Sequence, residues 1–235
     1  MRRLIFGIIL IIIPFIVTYL YPISAPSSIH SLGEFYLKDS LTSVRSPEAV
    51  TSILWDYRGL DTIFETAVFF LAIMGGLAIF RELKLEYPSW EEFPLPVKVV
   101  TKVTAVLIVT VATSLALHGQ LTPGGGFQGG STLAVAPLLV IGAVSLASLR
   151  KIGITLERAV LVRILGLTGI VILALIPLAL GGYAVQNQPY FPSEFLGTLL
   201  GGSLLWYNIF EFLAVGAGFT AVFLILAAMG GGKND

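Results

Sequence analysis

The chain has 235 residues, of which 56% are apolar and 12% are charged, and its formal net charge is zero. A soluble domain carries about 25% charged residues, so this composition excludes an ordinary water-soluble fold. A zero net charge gives no reason to expect a nucleic acid as partner. Because the chain contains no cysteine, disulfides, thiolate nucleophiles and cysteine-bound metal centres are excluded.

Six apolar segments have the roughly 17–25 residues that a helix needs to cross a bilayer. The first follows two arginines, but its apolar stretch is long and Pro26 follows the small residues Ser24 and Ala25 at which a signal peptidase would cut, so we expect a retained anchor. The predicted fold class is therefore all-α, a polytopic membrane protein with about six transmembrane helices. In chain order, the predicted spans are Leu4–Leu20, Thr62–Phe80, Val97–Leu117, Ser131–Leu149, Val160–Leu180 and Ile209–Met229.

Basic residues are unevenly distributed once alternate loops are assigned to opposite sides of the membrane. One side has only Lys38, Arg45 and Arg58, against eleven lysines and arginines on the other. Because basic residues mark cytoplasmic loops, we predict a multi-pass protein of the cell membrane with both termini in the cytoplasm. The eleven residues are Arg2, Arg3, Arg81, Lys84, Lys98, Lys102, Arg150, Lys151, Arg158, Arg163 and Lys233.

The longest loop, from about Tyr21 to Asp61, is external in this topology. A short helix is predicted inside it, with Ser46 as N-cap, Pro47 at the first helical position and Gly59 at its end. Its apolar face and the neighbouring Trp55 are typical of a helix that lies on the membrane surface or under a partner subunit.

Residues 118–130, the glycine segment, lie between the third and fourth predicted spans and contain six glycines in thirteen residues. Glycine lets the backbone adopt positive φ and approach other groups closely. The segment is predicted to be either a tight external turn or a loop with a role in an ion path or a subunit contact. Its G-x-G-x-x-G spacing does not indicate a dinucleotide site, because no predicted strand precedes it. Its candidate residues are Pro123, Gly124, Gly125, Gly126, Phe127, Gly129 and Gly130.

Two glutamates lie at the predicted entrances of the second and sixth spans. Thr62 precedes Glu65 by three residues, and Asn208 precedes Glu211 by the same distance, which is the spacing of a capping box. An ionisable side chain in a span is also a functional candidate. Each glutamate is therefore predicted to start a helix, to bind a proton or sodium ion, or to do both.

Two further ionisable residues lie near the same external ends. His118 is predicted either to bond a helix-terminal carbonyl or to titrate near neutral pH. Asp61 lies beside Arg58, and an exposed or interfacial ion pair is its simplest interpretation. Glu65, Glu211, His118 and the glycine segment would form one polar vestibule. Neither histidine of the chain has carboxylates at ligand spacing, so no metal site and no catalytic residue are predicted.

The glycine segment resembles the signature of a known family. Leu117-His118-Gly119, followed by Pro123 to Gly130, is similar to the B subunit of the multisubunit Na+/H+ antiporters of the Mrp or Mnh type. The resemblance implies a four-span domain from about Pro96 to Met229. It also implies an acidic residue at the start of the last span, which is Glu211 here.

An earlier segment, from Ala49 to Thr66, resembles the C-terminal part of the large A subunit of these antiporters. In the related membrane-bound hydrogenase and sulfur-reductase complexes of archaea, this part is a separate small subunit. The chain therefore resembles a fusion of two adjacent subunits, with a two-span segment at residues 1–90 and a four-span domain at residues 91–235.

These resemblances imply an accessory, non-catalytic subunit that contributes to cation translocation in an antiporter-like module. The implied partners are the lipid bilayer and other antiporter-like membrane subunits in a hetero-oligomer, with or without a redox arm. No cofactor is expected in this chain, and Na+ or H+ is the expected transported ion. Because no lysine lies in the middle of a span, the main proton pathway is expected elsewhere in the module. A structural subunit that joins its neighbours without conducting ions is the alternative.

Overall fold

The computed structural model describes residues 29–80 and 93–230. The chain divides into two compact units, residues 1–36 and residues 37–235. The described helices are α1 (Ile29–Asp39), α2 (Ala49–Ser52), α3 (Gly59–Ile79), α4 (Leu95–Leu117), α5 (Gly126–Ala143), α6 (Leu146–Lys151), α7 (Leu156–Ala179) and α8 (Leu204–Gly230).

Helices α3, α4, α5, α7 and α8 are the five described helices that are long and apolar enough to cross a membrane. Each overlaps one predicted span, which confirms the all-α polytopic membrane fold. The first predicted span, Leu4–Leu20, lies outside the described residues.

The predicted fourth span, Ser131–Leu149, is wrong at both ends. The helix begins at Gly126 and ends at Ala143. A separate short helix, α6, then starts because the Ser145 hydroxyl accepts a hydrogen bond from the Ser148 N–H at 3.2 Å. A serine at this position is a strong N-cap, so the chain turns before a new helix begins.

The long helices of the second unit pack in the order α4, α5, α8, α7, with each helix contacting the next. Small residues permit the close approach. A Cβ atom at Gly130 of α5 would lie 2.8 Å from Phe212 O of α8, and one at Gly166 of α7 would lie 2.6 Å from Phe210 O. Because lipid is as apolar as the helices, membrane helices associate through such tight packing rather than through the hydrophobic effect.

The short helix before α3 differs from its prediction. Glu48, not Ser46, is the N-cap of α2, since its carboxylate accepts the N–H of Thr51. The Ser46 hydroxyl instead donates to Gln120 O at 2.6 Å. Helix α2 continues into a π-helical turn at residues 53–57. Gly59 does not close this helix but begins α3, where a side chain would collide with Val185.

Trp55 is buried rather than placed on a membrane surface, so the surface interpretation of this residue is wrong. Only 2% of its surface is exposed, and its ring stacks on Tyr207 of α8 with centroids 4.4 Å apart. Val44, Ile170 and Leu204 belong to the same core cluster. The segment before α3 is therefore tied to the helix bundle through an aromatic pair.

The connection between α7 and α8 contains a small antiparallel hairpin, β1 (Glu194–Phe195) with β2 (Thr198–Leu199). The buried Asn187 side chain organises the return to α8. Its amide nitrogen donates to Gly201 O at 3.0 Å, and its amide oxygen accepts the Ser203 N–H at 2.8 Å.

Candidate ion site

A cavity of about 510 Å³ lies between α3, the glycine segment and α8. Glu65 of α3 and Glu211 of α8 both line it. The structure therefore brings together two carboxylates that are far apart in the sequence.

Glu211 is 7% exposed, and its carboxylate caps a helix other than its own. It accepts the Phe127 N–H at 3.0 Å, while the Asn208 amide oxygen accepts the Gly126 N–H at 3.2 Å. These are the first amide groups of α5, which have no partner within their own helix. The positive end of the α5 dipole also favours a carboxylate at this place.

The two predicted capping boxes are wrong. Helix α8 begins at Leu204 and α3 begins at Gly59, so Asn208 and Thr62 lie inside their helices. The Thr62 hydroxyl donates to Leu54 O rather than to an amide of its own first turn. Glu65 and Glu211 therefore lie inside their helices, after the first turn.

Glycine at position 126 is required for the α5 terminus to reach α8. A Cβ atom there would lie 2.7 Å from Glu211 Cβ and 2.8 Å from its Oε2. The preceding residue, Gly125, has φ of +139°, a conformation that glycine adopts readily. Residues 118–125 form a turn between α4 and α5, and Gly124 and Gly125 of this turn line the cavity.

Glu65 completes the cavity from the α3 side. Its side chain is exposed in the chain and has no hydrogen-bond partner among the described residues. At the next residue, the Thr66 hydroxyl donates to Thr62 O at 2.8 Å. The carboxylate of Glu65 is consequently free to interact with an ion in the cavity.

His118 and Asp61 do not line this cavity, so of the predicted vestibule only Glu65, Glu211 and part of the glycine segment are brought together there. His118 is exposed, and its Nδ1 lies 2.9 Å from Ser114 O in the last turn of α4. Asp61 is exposed and pairs with Arg58 at 2.7 Å. Such an exposed pair contributes little to stability.

Asp56, just before α3, has an unusual environment that its position in the sequence does not reveal. Burial raises its pKa to about 6, with the nearby negative charge of Asp39 as the second cause. Asp39 behaves oppositely, because hydrogen bonds from the hydroxyls of Ser43 and Tyr57 lower its pKa. Two neighbouring carboxyl groups at this end of the bundle therefore differ in protonation behaviour.

Arg163 in α7 is a buried charge, although the distribution of basic residues groups it with the cytoplasmic side. It is 2% exposed, and its Nη2 donates to Phe70 O at 3.0 Å. The guanidinium lies 4.9 Å from the Phe70 ring centre and 5.9 Å from that of Phe69. Because Phe69 lines the cavity, the arginine lies behind its aromatic wall. A single basic residue inside an apolar span is the sequence signal that could have found it.

Residues 96–221 match the family model described as a domain related to the MnhB subunit of Na+/H+ antiporter. That match covers more than half of the chain. The chain belongs to this family. The predicted resemblance to the antiporter B subunit is thereby confirmed, and the MnhB-related protein is an antiporter-like membrane subunit of a family that is not catalytic.

Similar proteins extend over most of the MnhB-related protein. An uncharacterized protein of Methanocaldococcus jannaschii is 27% identical over 210 residues, which cover 79% of each chain. A chain in the structure of the membrane-bound sulfane sulfur reductase, an archaeal respiratory membrane complex, is 28% identical and has a TM-score of 0.69, with 97% of each chain covered.

A more distant structural likeness supports the fold alone. A chain of the Mrp complex from Dietzia sp. is 18% identical with a TM-score of 0.69. The likeness covers all of the MnhB-related protein and 26% of that chain. The MnhB-related protein is therefore a multi-pass membrane protein whose fold recurs within a larger chain.

Proposed function

We propose that this protein is an accessory subunit of a multisubunit Na+/H+ antiporter-like module and that Glu65 and Glu211 contribute to cation translocation. The observation that carries the proposal is the shared cavity, which both carboxylates line. The family match and the two membrane complexes with similar chains support the assembly part of the proposal.

The cavity offers the chemistry that a proton or sodium ion needs. Oxygen atoms are the ligands of hard cations, and here they come from two carboxylates and from the side chains of Thr62, Thr66 and Gln128. Two negative charges facing one low-dielectric space repel each other. Binding one Na+ or one proton would relieve that repulsion, so the two ions would compete for the same place.

A structural role is the second candidate, and the Glu211 contact favours it. A carboxylate that accepts the Phe127 N–H holds α8 against α5 whether or not an ion moves. In that case the chain would join neighbouring subunits without conducting ions.

Glutamine substitutions separate the two candidates. Glu211→Gln keeps an oxygen that accepts the Phe127 N–H but removes the charge, and Glu65→Gln removes the charge on α3. Glu194→Gln is the matched control, because Glu194 lies exposed on the β1–β2 hairpin. Assembled complexes would be reconstituted into vesicles, and Na+-dependent proton flux measured.

An ion site predicts that both cavity variants assemble normally and lose most of the flux, while the control keeps it. Unchanged flux in both cavity variants would reject the ion site and leave the structural role. Loss of assembly in Glu211→Gln would also favour the structural role.

We also propose that the fused arrangement holds, with a part like the large A subunit at residues 1–90 and a part like the B subunit at residues 91–235, and that both termini face the cytoplasm. Because Arg163 lies inside α7, ten of the eleven basic residues assigned to the cytoplasmic side remain there, against three on the external side. Because the chain has no native cysteine, single cysteines at His118 and Lys151 can be labelled with an impermeant maleimide. External labelling at position 118 only is expected.

The identity of the surrounding module is testable directly. We propose that its partners are other antiporter-like membrane subunits, with a redox arm in some assemblies. Purifying the complex through this chain and measuring nickel and iron would distinguish a redox assembly from a standalone antiporter.

A further inference from the structure

A second cavity shares no lining residue with the cavity that contains Glu65 and Glu211. It has a volume of about 600 Å³ and opens between α4 and α7, with α5 and α8 as its floor. This volume falls within the roughly 300–1,000 Å³ usual for ligand sites. We refer to it as the α4–α7 groove.

The walls of the α4–α7 groove are apolar. Val106, Leu133 and Val162 are among its lining residues. The threonine hydroxyls on its α4 and α8 walls are already used within their own helices: Thr110 donates to Val106 O at 2.9 Å, and Thr220 donates to Gly216 O at 2.7 Å. The part of a ligand that contacts these walls therefore needs no polar groups.

Two cationic side chains flank one end of the groove. Arg158 of α7 lines it and donates to Gly153 O at 3.1 Å through one nitrogen. On α4, the exposed Lys102 lies three and four residues before the lining residues Ala105 and Val106, which is the spacing of one helix face. Helices α4 and α7 both begin at this end, so the helix spacing places Lys102 on the same side of the bundle as Arg158.

The groove is long enough to hold part of a hydrocarbon chain. On α5 the lining runs from Leu133 to Val140, a length of roughly 10 Å at 1.5 Å per residue. A flexible hydrocarbon chain can follow an apolar groove of this length.

We propose that the α4–α7 groove binds one anionic phospholipid, with an acyl chain along the apolar walls and the phosphate between Lys102 and Arg158. Basic pockets between membrane helices bind anionic headgroups on the side that carries the basic loops. Charge-assisted hydrogen bonds from the two cations would hold the phosphate oxygens. This proposal is independent of ion binding by Glu65 and Glu211.

Lipid titrations of the delipidated full-length protein, followed by native mass spectrometry, test the charged mouth. Phosphatidylglycerol is the anionic probe and phosphatidylcholine the zwitterionic one. At about 1 kcal/mol for each basic side chain, replacing both Lys102 and Arg158 with glutamine should weaken phosphatidylglycerol binding roughly 30-fold. Arg150→Gln is the matched control, because Arg150 lies at the same end outside the groove lining.

A second pair of variants tests the apolar walls. Ala105→Phe fills the groove and should abolish retention of phosphatidylglycerol, whereas Leu107→Phe, on an exposed face of α4, should not. Equal affinity for the two lipids, or retention unchanged in Ala105→Phe, would overturn the proposal. A photo-crosslinker at Val109 in the assembled complex gives an independent readout: crosslinks to lipid support the proposal, and crosslinks to a partner helix reject it.

Discussion

Replacing Gly130 with alanine would force α5 and α8 apart. The new Cβ atom would lie 2.8 Å from Phe212 O and 2.8 Å from Val215 Cβ. These neighbours are a backbone oxygen and a side-chain atom fixed to the backbone, so neither can move without shifting a helix. At Gly142 of the same helix, a new Cβ atom would have no neighbour within 4 Å, which makes Gly142→Ala the matched control.

The expected magnitude follows from that geometry. Overpacking of a well-packed interface costs about 1–3 kcal/mol. Alanine in place of glycine also gains up to about 1 kcal/mol of helix propensity. Both glycines lie in α5, so the Gly142→Ala control also receives a propensity gain, and the difference between the two variants reports mainly the steric cost. In a chain of this size, about 1 kcal/mol corresponds to roughly 2–4 °C in melting temperature.

Thermal unfolding of the purified full-length protein in detergent, followed by circular dichroism, measures this difference. We expect Gly130→Ala to melt several degrees below Gly142→Ala. A Gly130→Ala variant that melts at the same temperature as the control, or higher, would show that α5 and α8 do not pack as closely as described.

Three further predictions concern the end of the bundle near α2. The pKa of Asp56 is raised from 3.8 to about 6, so between these pH values the folded state binds more protons than the unfolded state. The free energy of unfolding should therefore fall as pH rises through this window. Asp56→Asn should flatten that dependence in melting curves at pH 4 to 7. Trp55→Ala should cost about 3–5 kcal/mol in denaturant unfolding, and Trp206→Ala, at a residue 42% exposed, much less; equal losses would contradict the buried stack. Asn187→Ala leaves the Ser203 N–H unpaired, at about 1–3 kcal/mol, whereas Gly201 O still accepts the Leu204 N–H at 3.3 Å. The substitution should speed hydrogen exchange at Ser203; unchanged exchange there would refute this.

Most of the fold is predictable because membrane insertion depends on local composition. Five predicted spans correspond to described helices, since a run of apolar residues favours lipid wherever its neighbours lie. Helix ends are less predictable. Ser145 and Glu48 cap their helices. Other residues that could act as N-caps lie close to them in the sequence, so the residue that becomes the N-cap depends on the surrounding packing.

The candidate site is predictable only in part. Glu65 and Glu211 stand out as ionisable groups near span entrances, and the structure places both at one cavity. His118 stands out on the same argument, yet it bonds its own helix. Arg163 is missed when basic residues are counted by loop, although its position inside an apolar span is visible in the sequence.

By itself, the sequence determined that this chain resides in the membrane, that it forms helices, and that its glycine segment marks the MnhB-related family. Those properties depend on residue type and spacing along the chain. Only the tertiary structure decided that Glu211 caps α5, since its partner amide lies 84 residues away. It also decided that two carboxylates share one cavity and that Arg158 lines an apolar groove. The partner of a polar group depends on how the chain returns upon itself, which no local pattern specifies.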